Sequence, residues 1–341
     1  MTEIKIHAFQ DYSVTIGSGI LNNILDTIPQ GAKVGILSDS NVWPIYGDIL
    51  TNLLSDHAIA NDHFVLSAGE SSKNIENYFC ILNFLSQNQY TRSDCIIALG
   101  GGVVGDLAGF SAATYLRGIP YIQVPTTLLA MVDSSVGGKT GIDLPAGKNL
   151  AGAFYQPKAV ICDTDLLHSL PKAIFRDGCA EVIKYAMLYD PLLFAHLEER
   201  GMDFDREWVI ARCIDWKRQA VEQDEFDQGS RMLLNLGHTI GHAIEHCSDY
   251  SISHGQAVAI GMSIVSRASH CPDSNRMVGL LEGFGLPTSV DYSAETLSSA
   301  ALSDKKRRGN AINLIIPKTI GQCIAVSTPT EHLQAFIEEG L

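Results

Sequence analysis

The sequence predicts two parts, an α/β domain built on a parallel sheet and, after it, a mainly α-helical domain. The chain has 341 residues, which at about 150 residues per domain suggests two domains. Short apolar runs alternate with helical stretches in the first half, and this strand signal fades after about Leu166. We therefore expect the α/β domain over residues 1–165 and the helical domain over residues 166–341.

The predicted strands are short runs rich in apolar and β-branched residues, each bounded by Gly, Pro, Asp or Asn. They are Val34–Ser38, His63–Leu66, Cys95–Leu99, Tyr121–Val124 and Val160–Asp163. A helix is predicted over Asn74–Gln89, so the strands should form parallel βαβ units with ligands at their carboxyl ends. An antiparallel ribbon is predicted before them, from Ile4–Ile6 and Tyr12–Ile16.

The second half contains long segments with few helix-breaking residues. The predicted helices are Asp177–Arg200, Asp205–Gln223, Gly229–His246 and Gly255–Ser269. A late hairpin, from Ala311–Pro317 and Gln322–Val326, is the exception.

Composition is typical of a globular enzyme that binds neither nucleic acid nor a membrane. The 24 basic and 38 acidic residues give a net charge of −14, so an anionic ligand would need a local basic pocket. No secretory leader and no apolar run that could span a bilayer is visible in the sequence. The eight cysteines contain no Cys-x-x-Cys pair, which favours buried thiols and a cytoplasmic location.

A glycine-rich turn follows the predicted strand Cys95–Leu99. Residues Gly100–Gly105 satisfy G-x-G-x-x-G, a pattern whose glycines let backbone amides approach the pyrophosphate of a dinucleotide. The acidic residue expected about 20 positions later is missing. Asp39 or Asp106 could replace it, and a plain glycine-rich turn is the alternative.

A second glycine-rich segment, Asp133–Thr140, lacks the spacing of a P-loop. Its Gly-Gly-Lys turn and the later Gly147–Asn149 offer amides and ammonium groups that suit a phosphate or a phosphorylated sugar. Solvated surface loops are the alternative for either motif taken alone.

Three histidines, His238, His242 and His246, recur every four residues and so share one helical face, and His254 follows after a turn. Imidazoles in this pattern are suitable Zn²⁺ ligands, and a carboxylate such as Glu181 would complete a three-ligand site. Spacing alone selects His238 and His242 as the pair. A histidine-rich helix without a metal is the alternative.

Cationic and amide side chains near these segments indicate a polyanionic small substrate, because the whole chain is acidic. They are Arg117, Lys184, Lys217, Arg231, Asn235 and the run Asp304–Arg308. The run taken alone is more typical of a solvated loop.

Ordered motifs extend through nearly the whole chain. They are Leu99–Asp106, Arg117–Gly118, Gln123–Leu129, Val132–Thr140, Gly147–Asn149, Gly152–Pro157, Ala180–Lys184, Leu234–Glu245 and His254–Gly255. Together they resemble the motifs of the 3-dehydroquinate synthase family.

The resemblance implies an NAD-binding α/β domain, a helical domain with Zn²⁺ (or Co²⁺), and a homodimer. It implies Glu181, His238 and His254 as metal ligands, which overrules the choice from spacing and leaves His242 as an active-site residue beside the metal. His246 has no role in the family. The residues implied to contact NAD are Asp39, Asn41, Glu70, Lys73, Gly101, Gly102, Val103, Val104, Gly105, Asp106, Thr126, Thr127, Lys139, Lys148, Leu166, Leu167, His168 and Ser169.

The resemblance also implies a reaction of the shikimate pathway. A small phosphorylated keto-acid sugar, 3-deoxy-D-arabino-heptulosonate 7-phosphate, would become 3-dehydroquinate and phosphate. Transient oxidation by NAD, β-elimination of phosphate, re-reduction, ring opening and an intramolecular aldol closure would make the enzyme a carbon–oxygen lyase.

The implied substrate residues fall into four groups. Lys139, Asn149, Lys184 and Asn235 would hold the phosphate, with Arg117 supplied by the other subunit. Lys217 and Arg231 would bind the carboxylate and the C4 hydroxyl region, Asp133 would contact the C5 side, and Lys305 or Lys306 would close over the ligand.

The chain departs from the family at position 256, where His254-Gly255-Gln256 replaces the common His-Gly-Glu. A carboxylate that orients a zinc ligand would be lost, so we expect metal binding to survive but to be weaker.

Three other functions fit part of the pattern. Another sugar-phosphate cyclase would use a substrate without the carboxylate that Lys217, Arg231 and Asn235 suit. A metal-dependent polyol dehydrogenase would accumulate NADH and would need no phosphate pocket. A non-catalytic NAD-binding regulator would not need the intact set of acidic and histidine residues.

Overall fold

A computed structural model describes residues 1–303 and 310–341. Its strands are β1 (Thr2–Ile6), β2 (Tyr12–Gly17), β3 (Val34–Asp39), β4 (Asn61–Leu66), β5 (Cys95–Gly100), β6 (Tyr121–Pro125), β7 (Lys139–Leu144), β8 (Gly147–Phe154), β9 (Ala159–Asp163), β10 (Ala311–Thr319) and β11 (Gln322–Pro329). Its α-helices are α1 (Trp43–Asp56), α2 (Ile75–Gln87), α3 (Gly102–Thr114), α4 (Lys172–Tyr189), α5 (Pro191–Arg200), α6 (Arg206–Gln223), α7 (His238–Cys247), α8 (His254–Ala268), α9 (Ser274–Gly283), α10 (Ala294–Ser303) and α11 (Leu333–Gly340).

These elements pack into two compact units. The first comprises Met1–Leu170 and Arg206–Phe226, and the second comprises Pro171–Asp205 and Asp227–Leu341. The domain boundary predicted from the sequence, between residues 165 and 166, places α6 in the second domain. In the structure, α6 packs against β1 and β2. The 165/166 boundary stays a prediction.

The first unit is built on a seven-stranded sheet with the order β1-β2-β9-β6-β5-β3-β4. All pairs from β2 to β4 are parallel, and the β1–β2 pair is antiparallel, which confirms the predicted parallel sheet and ribbon. β5, β6 and β9 are buried along their whole length, as their mainly apolar sequences predict. The predicted helix over Asn74–Gln89 is confirmed as α2, with Asn74 accepting a hydrogen bond from the Asn77 backbone.

The second unit is mainly helical, with α8 packed against α4, α7 and α11 and with the hairpin β10–β11 as predicted. The predicted helix Asp177–Arg200 is two helices, because Asp190 caps α5 and Pro191 cannot continue α4. The predicted helix Gly229–His246 is also divided: a 3₁₀ turn, Ser230–Asn235, precedes Gly237, whose φ is +77°, and α7 begins at His238.

None of the helices in residues 1–303 and 310–341 is long and apolar enough to cross a lipid bilayer.

Candidate active site

The residues predicted to contact a nucleotide lie at one edge of the sheet in the first unit. Parallel strands β3, β5, β6 and β9 all end there, and a ligand of such a sheet binds outside these carboxyl ends. Asp39 and Asn41 follow β3, Gly101–Asp106 follow β5, Thr126 and Thr127 follow β6, and Leu166, Leu167, His168 and Ser169 lie in the 3₁₀ turn after β9.

The turn between β5 and α3 consists of glycines and ends at a helix start without a side-chain cap. Gly101 begins the helix and has no side chain, so it cannot cap the first backbone N–H groups of α3. A Cβ at Gly101 would lie 3.1 Å from Thr127 Cγ2, and one at Gly105 would lie 2.7 Å from Gln123 Oε1. The glycines thus let the turn and α3 pack closely against β6 and the residues after it, the close helix–strand packing typical of a turn that binds the pyrophosphate of a dinucleotide.

Lys73 joins three predicted ligand-binding segments of the first unit. Its Nζ lies 2.5 Å from Asp106 Oδ2 and 2.5 Å from Asn149 Oδ1, and Glu70 is 4.0 Å away. Burial lowers the pKa of Lys73, but the charges of Asp106 and Glu70 outweigh it and raise the pKa above 10.5. The ammonium is therefore charged, and Lys148 extends the cluster at 3.9 Å from Glu70.

The hairpin β7–β8 contains two residues that the resemblance assigns to one phosphate. Lys139 begins β7 opposite Phe154, whereas Asn149 lies nearer the turn, with φ +54° and its backbone N–H donating to Asp143. The hairpin therefore separates Lys139 and Asn149 along its length. The sequence predicted a phosphate-binding turn here, with surface loops as the alternative, and the antiparallel pairing of β7 with β8 was missed.

A buried ion pair connects α6 to the rest of the first unit. Lys217, which is 6% exposed, pairs with the carboxylate of Asp133 and donates to its carbonyl oxygen at 2.6 Å. Asp133 and Lys217, two of the substrate residues predicted in this unit, thus lie together.

Arg117 lies in an exposed turn at the end of α3. Leu116, Arg117 and Gly118 all have positive φ angles, of 51°, 67° and 123°. Two consecutive non-glycine residues in this region are strained, and such strain is most common at functional sites.

The metal-ligand trio lies within the second unit, on three different helices. Glu181 is in the middle of α4, His238 is the first residue of α7, and His254 is the first residue of α8. One donor atom from each comes within 4.8 Å of the others. Gly237 and Gly261 let α7 and α8 approach, because a Cβ at Gly261 would overlap the Gly237 carbonyl oxygen.

The spacing of these donor atoms fits a tetrahedral ion. Glu181 Oε1 lies 3.4 Å from Nε2 of His238 and 3.5 Å from Nε2 of His254. Ligands at 2.0–2.1 Å from tetrahedral Zn²⁺ are about 3.3–3.4 Å apart. Glu181 Oε2 pairs with the Lys184 ammonium, whereas Oε1 is buried with no hydrogen-bond donor assigned to it among the described residues, which a cation at this position would explain. Three protein ligands leave a fourth position for a reacting molecule.

Charge and burial set the protonation of the trio. Burial raises the pKa of Glu181, but Lys184 and the two imidazoles outweigh it and hold the pKa well below its usual range. Burial lowers the pKa of His238, so this ring is neutral. Burial also lowers the pKa of His254, but Glu181 and Glu245 raise it to about 10, so a cation competes there with a proton.

The remaining predicted residues of the second unit surround this trio or precede it in the chain. Lys184, on α4, is buried and pairs with Glu181 Oε2. The ring centroid of His242 is 5.5 Å from that of His238 and 6.1 Å from that of His254. Arg231 is buried and Asn235 is exposed, both in the 3₁₀ turn before α7. The predicted Lys305 and Lys306 lie outside the described residues.

One residue beside the trio was missed by sequence reasoning. Glu245 Oε2 lies 3.4 Å from His254 Nδ1. Its position, seven residues after His238 on one helix, is a signal that could have identified it, because that spacing returns to the same face. Gln256 lies in the capping box of α8, where its Oε1 accepts from the Ser253 backbone.

The comparisons with known proteins match most of the chain. The family model described as 3-dehydroquinate synthase N-terminal matches residues 63–177, and the one described as 3-dehydroquinate synthase C-terminal matches residues 178–307. The 3-dehydroquinate synthase of Clostridium acetobutylicum is 44% identical to this chain, with 96% of each covered.

Solved structures share the fold. The 2-epi-5-epi-valiolone synthase of Streptomyces hygroscopicus subsp. jinggangensis, solved with NAD⁺ and Zn²⁺, has a TM-score of 0.89 at 25% identity and covers 99% of this chain and 98% of its own. A 2-deoxy-scyllo-inosose synthase, solved with carbaglucose-6-phosphate, NAD⁺ and Co²⁺, has a TM-score of 0.90 at 24% identity, with complete coverage of both chains. The predicted α/β and helical architecture is thereby confirmed, and the chain belongs to the 3-dehydroquinate synthase family.

Proposed function

We propose that this chain is a carbon–oxygen lyase that converts 3-deoxy-D-arabino-heptulosonate 7-phosphate to 3-dehydroquinate and phosphate. The observation that carries the proposal is the trio of Glu181, His238 and His254, in which the Nε2 atoms of both imidazoles lie 3.4 and 3.5 Å from Glu181 Oε1, as ligands of a tetrahedral ion would. Identity of 44% over nearly the whole length of a curated 3-dehydroquinate synthase supports this activity over that of other cyclases.

The residues of the chain would bind and orient the reactants. Bound NAD would supply a transient hydride acceptor, and bound Zn²⁺ a Lewis acid for the substrate hydroxyls. Gly101–Asp106 would hold the pyrophosphate at the start of α3, and Glu181, His238 and His254 would hold the metal. Lys184 is the cation nearest this trio in the described residues, where a buried ammonium suits the phosphate that leaves.

The paired Asp133 and Lys217 would contact the substrate on the first unit. Because the Lys217 ammonium is bound to the Asp133 carboxylate, the pair presents one donor and one acceptor in fixed positions. The roles of Lys139, Asn149, Arg231, Asn235, His242 and Lys306 at the substrate stay predictions from the family.

A cytoplasmic homodimer belongs to the same proposal. Arg117, exposed on its strained turn, would reach the phosphate bound by the other subunit. The acidic chain makes a local cation from a second subunit useful, since the overall field repels an anionic substrate.

The test measures phosphate released from the heptulosonate phosphate with catalytic NAD⁺, with and without a metal chelator, while absorbance reports NADH. We expect stoichiometric, chelator-sensitive phosphate release without accumulation of NADH. The variant Lys184→Met should lose this release, whereas His246→Ala, an exposed change on α7, should keep it.

Two results would contradict the proposal. Accumulation of NADH without phosphate would indicate a polyol dehydrogenase. Turnover only of hexose phosphates or of heptulose phosphates that lack a carboxylate would indicate another sugar-phosphate cyclase.

A further inference from the structure

The His254 ring lies between two carboxylates. Its Nε2 is 3.5 Å from Glu181 Oε1, and its Nδ1 is 3.4 Å from Glu245 Oε2. Glu245 is 3% exposed, so its charge lies almost entirely away from solvent. A buried carboxylate is costly unless it is hydrogen-bonded or paired, which makes its placement against this ring nitrogen significant.

The other histidine of the trio is held in a parallel way. His238 directs Nε2 toward Glu181 Oε1 at 3.4 Å, and its Nδ1 is 3.0 Å from the carbonyl oxygen of Leu236. A carbonyl oxygen only accepts hydrogen bonds, so Nδ1 of His238 carries the proton and Nε2 presents a lone pair. Both rings therefore present Nε2 to the same point, one fixed by a neutral backbone group and the other by a charged side chain.

The helix geometry explains how Glu245 reaches His254. His238 and Glu245 are separated by seven residues on α7, and so lie on one face about two turns apart. His254 begins α8, and α7 and α8 pack directly on each other. The carboxylate of one helix thus meets the first side chain of the next.

We propose that Glu245 is a positioning residue for the metal centre. Its carboxylate accepts a hydrogen bond from Nδ1–H of His254, which fixes the ring and leaves Nε2 as the metal-facing nitrogen, and the negative charge makes that nitrogen a stronger ligand. The proposal rests on the metal centre of the proposed function. It also revises the expectation for position 256, because Gln256 caps α8 and the carboxylate beside the zinc ligand comes from α7.

Zinc affinity of the full chain, measured by competition with a chromophoric chelator, tests this role. Glu245→Ala removes both the acceptor and the charge, and we expect affinity to fall by about 100-fold. Glu245→Gln keeps an oxygen that can accept from Nδ1 but loses the charge, so we expect a loss of about 10-fold. Two variants are controls: Gln256→Glu preserves the capping box of α8, and His246→Ala changes an exposed residue next to Glu245. The zinc affinity of each should stay within about twofold of that of the unmodified chain.

A second readout separates positioning from folding. Co²⁺ bound in place of zinc gives visible absorption bands that report the coordination geometry, and we expect Glu245→Ala to change their intensity and Glu245→Gln to change them less. Thermal unfolding in excess chelator shows whether the metal-free variants are folded. A general packing role for Glu245 would lower the metal-free midpoint and leave the cobalt bands of the folded protein unchanged.

The outcomes distinguish the two proposals. If the unmodified chain binds one zinc ion and Glu245→Ala binds it equally well, the positioning role is wrong and the metal centre stands. If Gln256→Glu strengthens zinc binding about tenfold while both Glu245 variants bind zinc normally, the side chain that orients His254 is at position 256 and the proposal for Glu245 is wrong. If the unmodified chain and His254→Ala both fail to bind zinc, the metal centre and the role of Glu245 are overturned together.

Discussion

Lys73 and Asp106 form a close ion pair in the first unit, with Lys73 Nζ 2.5 Å from Asp106 Oδ2. The side chain of Lys73 is 5% exposed, and its ammonium also donates to Asn149 on β8. Three segments that are distant in the sequence, the turn after β4, the start of α3 and the hairpin β7–β8, therefore meet at one cation. Because Lys73 and Asp106 are both predicted to contact NAD, the same ion pair should contribute to the stability of the first unit and to its cofactor site.

Replacing the acidic partner should destabilise the first unit. Asp106→Asn leaves the Lys73 ammonium buried without its nearest charge, and breaking a buried pair in this way typically costs about 3 kcal/mol. We expect the free energy of unfolding, measured by urea titration, to fall by about that amount.

An exposed ion pair provides the control for Asp106→Asn. Glu198 and Arg276 pair at 2.6 Å with side chains 34% and 51% exposed, so Glu198→Gln should cost less than about 1 kcal/mol. Equal effects of the two substitutions would show that burial of Lys73 does not govern the energy of its pair.

Replacement of a glycine by alanine should have opposite effects on stability at two positions in the helices of the second unit. At Gly261 a Cβ would overlap the backbone of Gly237, so Gly261→Ala should separate α7 from α8 and cost about 2 kcal/mol or more. Because His238 follows Gly237, zinc affinity should fall as well. At Gly279, on α9, a Cβ meets nothing within 4 Å, so Gly279→Ala should stabilise the fold by about 0.5–1 kcal/mol.

Thermal and urea unfolding of both variants, together with zinc competition, check this pair. If the Gly261→Ala variant has normal stability and normal zinc affinity, the close approach of α7 and α8 is contradicted.

Much of the first unit could be predicted from its sequence, because short apolar runs bounded by Gly, Pro, Asp or Asn are typical of the buried strands of a parallel sheet. The return of α6 to that unit could not, because an amphipathic pattern shows that a helix has a buried face but not which core covers it. The helix breaks at Asp190 and Gly237 each have a local signal in the sequence, an Asp-Pro pair and a glycine, which hydrophobic periodicity alone did not resolve.

The metal ligands also could not be predicted from spacing in the sequence alone. Spacing along α7 favours His238 and His242, yet the donors that meet Glu181 Oε1 come from α7 and α8. A site assembled from several helices has no fixed spacing in sequence, so family motifs were needed to identify His254. The spacing of Glu245 from His238 predicts that the two share a face of α7, but its contact with His254 is seen only in the packing of α7 against α8.

Acid should weaken the first unit through Asp94, which accepts hydrogen bonds from the Lys33 and Thr91 backbones at 2.8 and 2.6 Å. Burial opposes ionisation, but these bonds outweigh it and lower the pKa of Asp94 below 3.8. A lowered folded-state pKa gives stability that is present above pH 3.8 and is lost as pH falls through the folded value.

The difference in urea midpoint between the unmodified chain and Asp94→Asn measures this contribution. We expect it to be largest near neutral pH and to shrink below about pH 4. Asp48→Asn, on the exposed side of α1, is the control and should leave the neutral-pH midpoint unchanged. A difference that is constant from neutral pH to about pH 3 would contradict the assigned cause.

Two histidines of α7, His238 and His246, should differ in their importance for zinc binding and phosphate release. His238→Ala removes a nitrogen that faces Glu181 Oε1 at 3.4 Å, so zinc binding and phosphate release should both be lost. His246→Ala lies on the same helix but is exposed, and it should retain both. Zinc content after dialysis, measured on the two purified proteins, checks this prediction, and equal zinc contents would show that the helix binds no metal through His238.

Subunit mixing tests the proposed contribution of Arg117 across a dimer. Arg117→Ala and Glu181→Gln should each be inactive as homodimers, because one lacks the cation supplied to its partner and the other lacks a metal ligand. In a mixed dimer, the site with an intact Glu181 receives Arg117 from the Glu181→Gln subunit, so one site of two is complete. Equal mixing after dissociation gives half of the dimers this composition, and we expect about a quarter of the unmodified activity. Activity that stays at the level of the separate variants would show that Arg117 acts within its own subunit or outside the site.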